Sequence, residues 1–353
     1  MPTQSTSLTG RVRAEAGRLG FDAVRIARAG ELPDGERYRE WLASGFHGEM
    51  AYMARDPERR IRTSLPGARA VIVVALNYYT AAQEGQARGP APTTSDSPTG
   101  VVSRYAWGDD YHRVMKDKLG ALADFLTAAV PGARAKPCVD TSAVLEKAWA
   151  ERSGIGWRGK HTNLISQEIG SWIFLGEIVT DADLEPDAEP HPDRCGTCTR
   201  CIDVCPTRAI VAPYVLDARL CIAYLTIEHR GVIPEELRPK IGNLIFGCDL
   251  CQDVCPWNKF ARSTPEQRLF PREGNIAPEL IPLLSLTEGE FRERYQGSAI
   301  LRATRDGFVR NVAIALGNSK DPRAILALTK ALEDPSEVVR VHVEWALEQI
   351  RKA

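Results

Sequence analysis

The stretch "CGTCTRCIDVCP", residues 195 to 206, constrains this chain most: four cysteines spaced x2, x2, x3 and closed by a proline. Bacterial two-cluster ferredoxins open a cluster-binding run this way, and the fourth cysteine of each run ligates the other cluster. A second full run should follow. The chain offers "CDLCQDVCP" at 248 to 256, one cysteine short. Cys221, in "ARLCIAYL", is the other cysteine of this region, and as a displaced first ligand it completes the pair. With the crossing rule, Cys195, Cys198, Cys201 and Cys255 hold one 4Fe-4S cluster, and Cys205, Cys221, Cys248 and Cys251 hold the other. The 26 residues between Cys221 and Cys248 then form an insertion seated beside a cluster.

Two zinc sites of four thiolates each would also need paired C-x2-C units. Zinc gives no reason for both runs to continue into x3-C-P, which favours clusters. Eight of the nine cysteines fall between 195 and 255, and in a reducing compartment such thiols are metal ligands rather than disulfides. The ninth, Cys138, reads as a small buried hydrophobe. Clusters move single electrons and transform no substrate by themselves. The remainder of the chain must supply the chemistry or a docking surface.

Ahead of the cysteines, "LTGRVRAEAGRLGFDAVRIA" predicts an amphipathic helix, a stop at Gly20 and a short strand at Ala23–Ile26. "ARAVIVVALNYY" (68 to 79) predicts a strand buried on both faces. A helix at 113 to 132, a strand at 134 to 139, a helix at 142 to 152 and a strand at 171 to 180 follow. Residues 81 to 100 are small, polar and proline-rich, and read as a loop. The alternation indicates an α+β (α/β sandwich) domain over residues 1–182. An acidic, proline-rich linker opens a ferredoxin-like domain over 183–262. In the remainder, 263–353, "VRNVAIALG" and "VRVHVEWAL" recur thirty residues apart, the pattern of HEAT-like helical repeats.

A formal charge of −1 carries no global sign of a nucleic-acid binder, so such a role would rest on local patches. The N-terminus has no apolar signal core, and the longest apolar run is too short for a bilayer. A soluble, cytoplasmic protein without membrane association is expected.

The blocks "SRYAWGDDYHRVMKDKL" (103 to 119), "VDTSAVLEKAWAERSGIGWRGKHTNLIS" (139 to 166), "GSWIFLGEI", the cysteine run, "CIAYLT" and "GNLIFGCDLCQDVCPWNK" occur in this order. Together with the helical tail they resemble the epoxyqueuosine reductase family over nearly the whole chain. The resemblance implies a cobalamin and two-4Fe-4S enzyme, related to reductive dehalogenases, that removes the epoxide oxygen of epoxyqueuosine at the tRNA wobble position. It implies cobalamin in the base-off state without a protein histidine on cobalt. His112, in "DYH", is expected to be a polar residue near a helix start. By motif position Arg60, Ser103, Asp140, Leu164, Leu175, Ala223, Asp249 and Leu250 would line the corrin. Asp140 takes the proton-donor position, and "DTS" before "AVLEKAWAE" also suits a helix N-cap. An acid at neutral pH further requires a carboxyl whose pKa is raised.

For tRNA the basic groups are Arg158/Lys160/His161, His229/Arg230, and Arg302/Arg305/Arg310 with Arg340. Arg230, Arg302, Arg305 and Arg310 are the candidate contacts. An external low-potential electron donor and a monomeric state are expected. Two other readings stand beside this one: a ferredoxin-type electron-transfer subunit, and a corrinoid reductive dehalogenase.

Overall fold

The computed structural model describes residues 7–81, 97–187 and 190–352; most of the expected loop at 81 to 100 lies outside them. Four strands, β1 (Ala23–Arg28), β2 (Ala70–Asn77), β3 (Ala135–Cys138) and β4 (Ile173–Thr180), form an antiparallel sheet in the order β1-β2-β4-β3. All eight residues of β2 are buried, as its unbroken apolar run requires, because helices cover both faces.

Helices α1 (Leu8–Arg18) and α2 (Tyr111–Ala129) lie on one face, where Val12, Leu119 and Leu122 meet Ile72, Val74 and Ile178. Gly20, at φ +83°, turns the chain out of α1 as only glycine does readily. The Asp110 carboxylate caps α2 by accepting the His112 backbone N–H at 3.0 Å. On the other face α3 (Glu146–Ser153) packs Ala148 and Trp149 over Val71, Val73 and Val179.

The helix expected from residue 142 begins only at Glu146, and its N-cap residue is Leu145. Asp140 is therefore not its cap. The chain first makes a turn, with Ser142 N–H donating to Val139 O, and Asp140 adopts φ +31° within it.

In the cysteine region, the short helices Arg200–Asp203 and Leu250–Asp253 pack together at equivalent places in the two runs. The insertion contains α4 (Ile222–Ile227) and a strand, Leu244–Phe246, paired in parallel with Val101–Val102. It does not pack as a free connector. Helix α5 (Thr304–Ser319) lies against it, α7 (Glu337–Arg351) packs along α5, and α6 (Ile325–Ala331) packs on α7. Leu225, Ile245, Phe246, Phe308, Val312 and Val343 share one core, which also takes in Val102 and Trp107. This core crosses both expected domain boundaries. Among the described residues no helix is long and apolar enough to cross a membrane.

Candidate active site

Cys195, Cys198, Cys201 and Cys255 line one cavity with Lys160, Ile165 and Trp257. Trp157 and Trp257, 4.9 Å apart, screen its apolar side. The Lys160 ammonium ties the ligand loop by donating to Gly196 O at 2.6 Å and Cys198 O at 3.0 Å. The other four thiols form a second neighbourhood: Cys205 acts electrostatically on Cys221 and Cys248, Cys221 on Cys248, and Cys248 and Cys221 on Cys251. Cys221 is the N-cap residue of α4, so backbone N–H groups of Ala223 and Tyr224 point at its sulfur. Ala209 N–H donates to Cys205 Sγ at 3.2 Å. Such N–H···S bonds are what iron–sulfur thiolates use to spread their charge. Among the described residues no three thiols, imidazoles or carboxylates converge closely enough to hold a single ion.

Asp140 lies at the C-terminal end of β3, with its side chain 53% exposed. Its Oδ2 is 3.0 Å from His112 Nε2, and His112 Nδ1 is 2.7 Å from Asp110 Oδ1. Behind it, the Glu146 carboxylate at the start of α3 accepts the Asp140 backbone N–H. Burial pushes the Asp140 carboxyl up, but the hydrogen bond and positive charge of His112, with help from Arg302 and Lys147, bring it below the ordinary range. The raised acid expected from the sequence is thus absent in the free protein. The proton sits elsewhere: burial and the Asp140 charge push Glu146 up to about 8. Burial opposes charge on His112, yet its bonds to Asp110 and Asp140 lift it to about 9. The sequence contained a cue for this in "DDYH", since an N-cap aspartate two residues before a histidine can reach both its backbone and its ring.

Of the residues assigned to the corrin, Ser103 and Asp249 touch: the Ser103 hydroxyl donates to Asp249 Oδ1, and Arg104 N–H donates to Oδ2 at 2.7 Å. Burial pushes the Tyr105 phenol up, and the charges of Asp140 and Asp249 add to that push. Lys147 feels both Asp140 and Cys251, which brings the second cysteine set near the acid. Leu250 is partly buried against the helical core, and Ala223 is half-buried beside Cys221. Leu164 and Leu175 are buried on the α3 side of the sheet. Arg60, exposed, donates to Tyr52 O at 3.1 Å. With both ring nitrogens engaged by carboxylates, His112 has no lone pair for a metal, which fits a corrinoid without a protein histidine on cobalt.

The basic clusters divide. Arg305 is buried and paired bidentately with Asp334 at 2.8 and 2.5 Å. Arg310 is fully buried and donates to the carbonyls of Leu225, His229 and Gly231. Neither is free to meet a phosphate: Arg305 is tied within the tail, to Leu286 O and Asp334, and Arg310 pins the tail to the insertion. Arg340 donates to the carbonyls of Asp334 and Pro335. Arg158 is held by Asp34 and Glu151, and burial drives His161 down to about 4, so that cluster is no cationic patch. His229 pairs with Glu49 at 3.1 Å. Arg302 and Arg230 stay at the surface. Arg302 pairs with Glu228 at 2.8 Å and lies 5.7 Å over the Tyr52 ring, and Arg230 donates to Arg302 O at 2.7 Å.

Two thiol quartets, one of them close to a carboxylate–imidazole pair on an α+β domain, define an iron–sulfur oxidoreductase. Residues 194–258 match the family model of a 4Fe-4S double cluster binding domain, and residues 59–141 match that of "Epoxyqueuosine reductase QueG, DUF1730". An epoxyqueuosine reductase of Xanthomonas campestris is 44% identical over 98% of this chain and 96% of its own. That of Burkholderia pseudomallei is 42% identical over 98% and 92%. A crystal structure of epoxyqueuosine reductase with a tRNA-Tyr epoxyqueuosine-modified stem loop superposes with a TM-score of 0.90 at 33% identity, covering 97% of this chain and 90% of that one. The chain belongs to the epoxyqueuosine reductase family. That similarity, spanning all three regions, sets it apart from a ferredoxin-type subunit and from the organohalide reductases.

Proposed function

We propose that this chain reduces epoxyqueuosine to queuosine at the wobble position of tRNA, using two electrons from an external low-potential donor and releasing the epoxide oxygen as water. The single observation that most supports this reading is the Asp140–His112 pair beside the second cysteine set, because an epoxide oxygen can leave only if it is protonated as its bond breaks. Cys195, Cys198, Cys201 and Cys255 would hold one 4Fe-4S cluster, and Cys205, Cys221, Cys248 and Cys251 the other.

Base-off cobalamin would be held by Arg60, Ser103, Asp140, Leu164, Leu175, Ala223, Asp249 and Leu250. When bound, it supplies a cobalt centre able to take electrons singly. Ser103 and Asp249 brace one another and Leu250 offers apolar surface, while Asp140 faces the reacting oxygen. Arg302 and Arg230, at the surface, would meet the phosphates of the anticodon loop, and the HEAT-like tail carries Arg302 there. The wobble nucleotide must leave its stack to reach the acid. The protein would act as a monomer in the cytoplasm.

The test is anaerobic reconstitution with iron, sulfide and cobalamin, followed by single turnover of an epoxyqueuosine stem loop read by mass spectrometry. Expected are about eight irons per chain, a base-off corrinoid spectrum and loss of one oxygen from the RNA. A reconstituted chain that binds corrinoid but leaves the epoxide intact would overturn the reading.

A further inference from the structure

We infer that His112 is the proton source that loads Asp140, so that the acid of the reaction is a two-residue relay rather than one carboxyl. The inference rests on the reading of Asp140 as the group facing the epoxide oxygen. In that reaction two C–O bonds break and one C=C π bond forms. The two carbons are reduced by two electrons from the donor, and two protons convert the oxygen to water. Asp140 can carry one proton at a time.

The geometry identifies where the protons come from. His112 Nδ1 is 2.7 Å from Asp110 Oδ1, and Nε2 is 3.0 Å from Asp140 Oδ2. An ionised carboxylate has no hydrogen to give, so a ring with a carboxylate on each nitrogen must donate from both, as an imidazolium. The ring cannot turn away. Asp110 is fixed as the cap of α2, the ring stacks on Tyr111 at 4.1 Å, and Tyr111 stacks on Phe174 at 4.2 Å. The side chain is nevertheless 23% exposed, enough for solvent to reload it.

The proton passes from Nε2 to Asp140 Oδ2 and from Asp140 to the oxygen as the first C–O bond breaks. Solvent returns a proton to the imidazole, and a second passage turns the bound hydroxyl into water as the second C–O bond breaks. The other titratable groups facing the pair are Glu146 and Lys147 from α3, Arg302 from the segment before α5, and Arg113 beside Asp110. The phenols of Tyr52, Tyr105 and Tyr111 are all pushed up, mainly by burial, and stay neutral. The two carboxylates outweigh the effect of burial and hold the imidazole up at about 9.

The test uses the holoenzyme carrying His112→Gln, whose amide N–H can still hold Asp140 in place but cannot pass a proton on. A purely positional histidine would be replaced without loss. The relay predicts a fall in single-turnover rate of roughly tenfold to a hundredfold, with stem-loop affinity and iron content unchanged. It also predicts partial rescue by imidazole buffer. The wild-type rate should hold up to about pH 9 and then fall, and the variant should lose that limb. Independently of activity, the nitrogen-15 signal of His112, assigned by its absence in the variant, should report a doubly protonated ring at pH 7.5. A neutral ring at that pH, or a variant with the wild-type rate and pH profile, overturns the relay alone. A wild-type holoenzyme that yields no queuosine overturns the functional reading, and the relay with it.

Discussion

Asp140, the proposed acid, also bears a backbone cost. A non-glycine residue at positive φ is uncommon, and aspartate and asparagine tolerate it best. Asp140→Asn should therefore keep fold, iron and corrinoid while losing ~10²–10⁴-fold in epoxide reduction, measured by single turnover with stem-loop affinity as control. The family motif singles out Asp140 as the proposed acid, but the state of its carboxyl was not legible. Whether its carboxyl runs high or low depends on His112, 28 positions earlier in the chain, and only the packing of α2 against the sheet brings them together. Glu177 was wholly hidden. It sits in the middle of β4 opposite Val73 and Cys138, fully buried, and neither carboxyl oxygen has a partner. Burial and the charge of Glu146 push it well above the ordinary carboxyl range, so the folded chain keeps a proton that the unfolded chain releases. Stability must then fall as pH rises beyond the unfolded value of about 4.3. Glu177→Gln should remove that dependence, and its advantage in urea midpoint should be larger at pH 8 than at pH 5. An advantage of equal size at both values would exclude a buried neutral acid.

At the level of elements, the missing fourth ligand turns on a helix start. Cys221 ends one turn and begins α4; burial pushes its thiol up, and the backbone N–H groups of Tyr224 and Ala223 at the helix start oppose that push. Cys221→Ala should lower iron from about eight to about four per chain and leave the EPR signal of the other cluster in place. Full iron with an unchanged signal would mean another ligand. The strands and long helices could be read from apolar periodicity, and β2 in particular from its unbroken run. The start of α3 could not, because "DTS" is an ordinary cap and only the tertiary turn at Asp140 diverts it. The buried tail arginines were misread for the opposite reason. "FVRNVAIAL" is apolar around the whole helix, the mark of a buried helix, and the charge in its midst drew attention from that context.

Across the whole molecule, the tail leaves Arg302 at the surface and buries Arg310. Arg302→Ala should weaken stem-loop binding and lower the salt slope by about one, with thermal stability unchanged. Arg310→Met should cost at least about 3 kcal/mol in denaturant unfolding, since three carbonyls lose their donor, and should leave the salt slope alone. A reversed pattern would return Arg310 to the RNA surface. The shared core has a consequence for biosynthesis. Asn311 donates to Thr226 O and Ile245 O, so the segment between Cys221 and Cys248 gains its packing only when α5 arrives. Chains emerge from the ribosome N-terminus first. The eight cysteines are therefore synthesised well before α5, the helix that completes the packing of the segment between two of them.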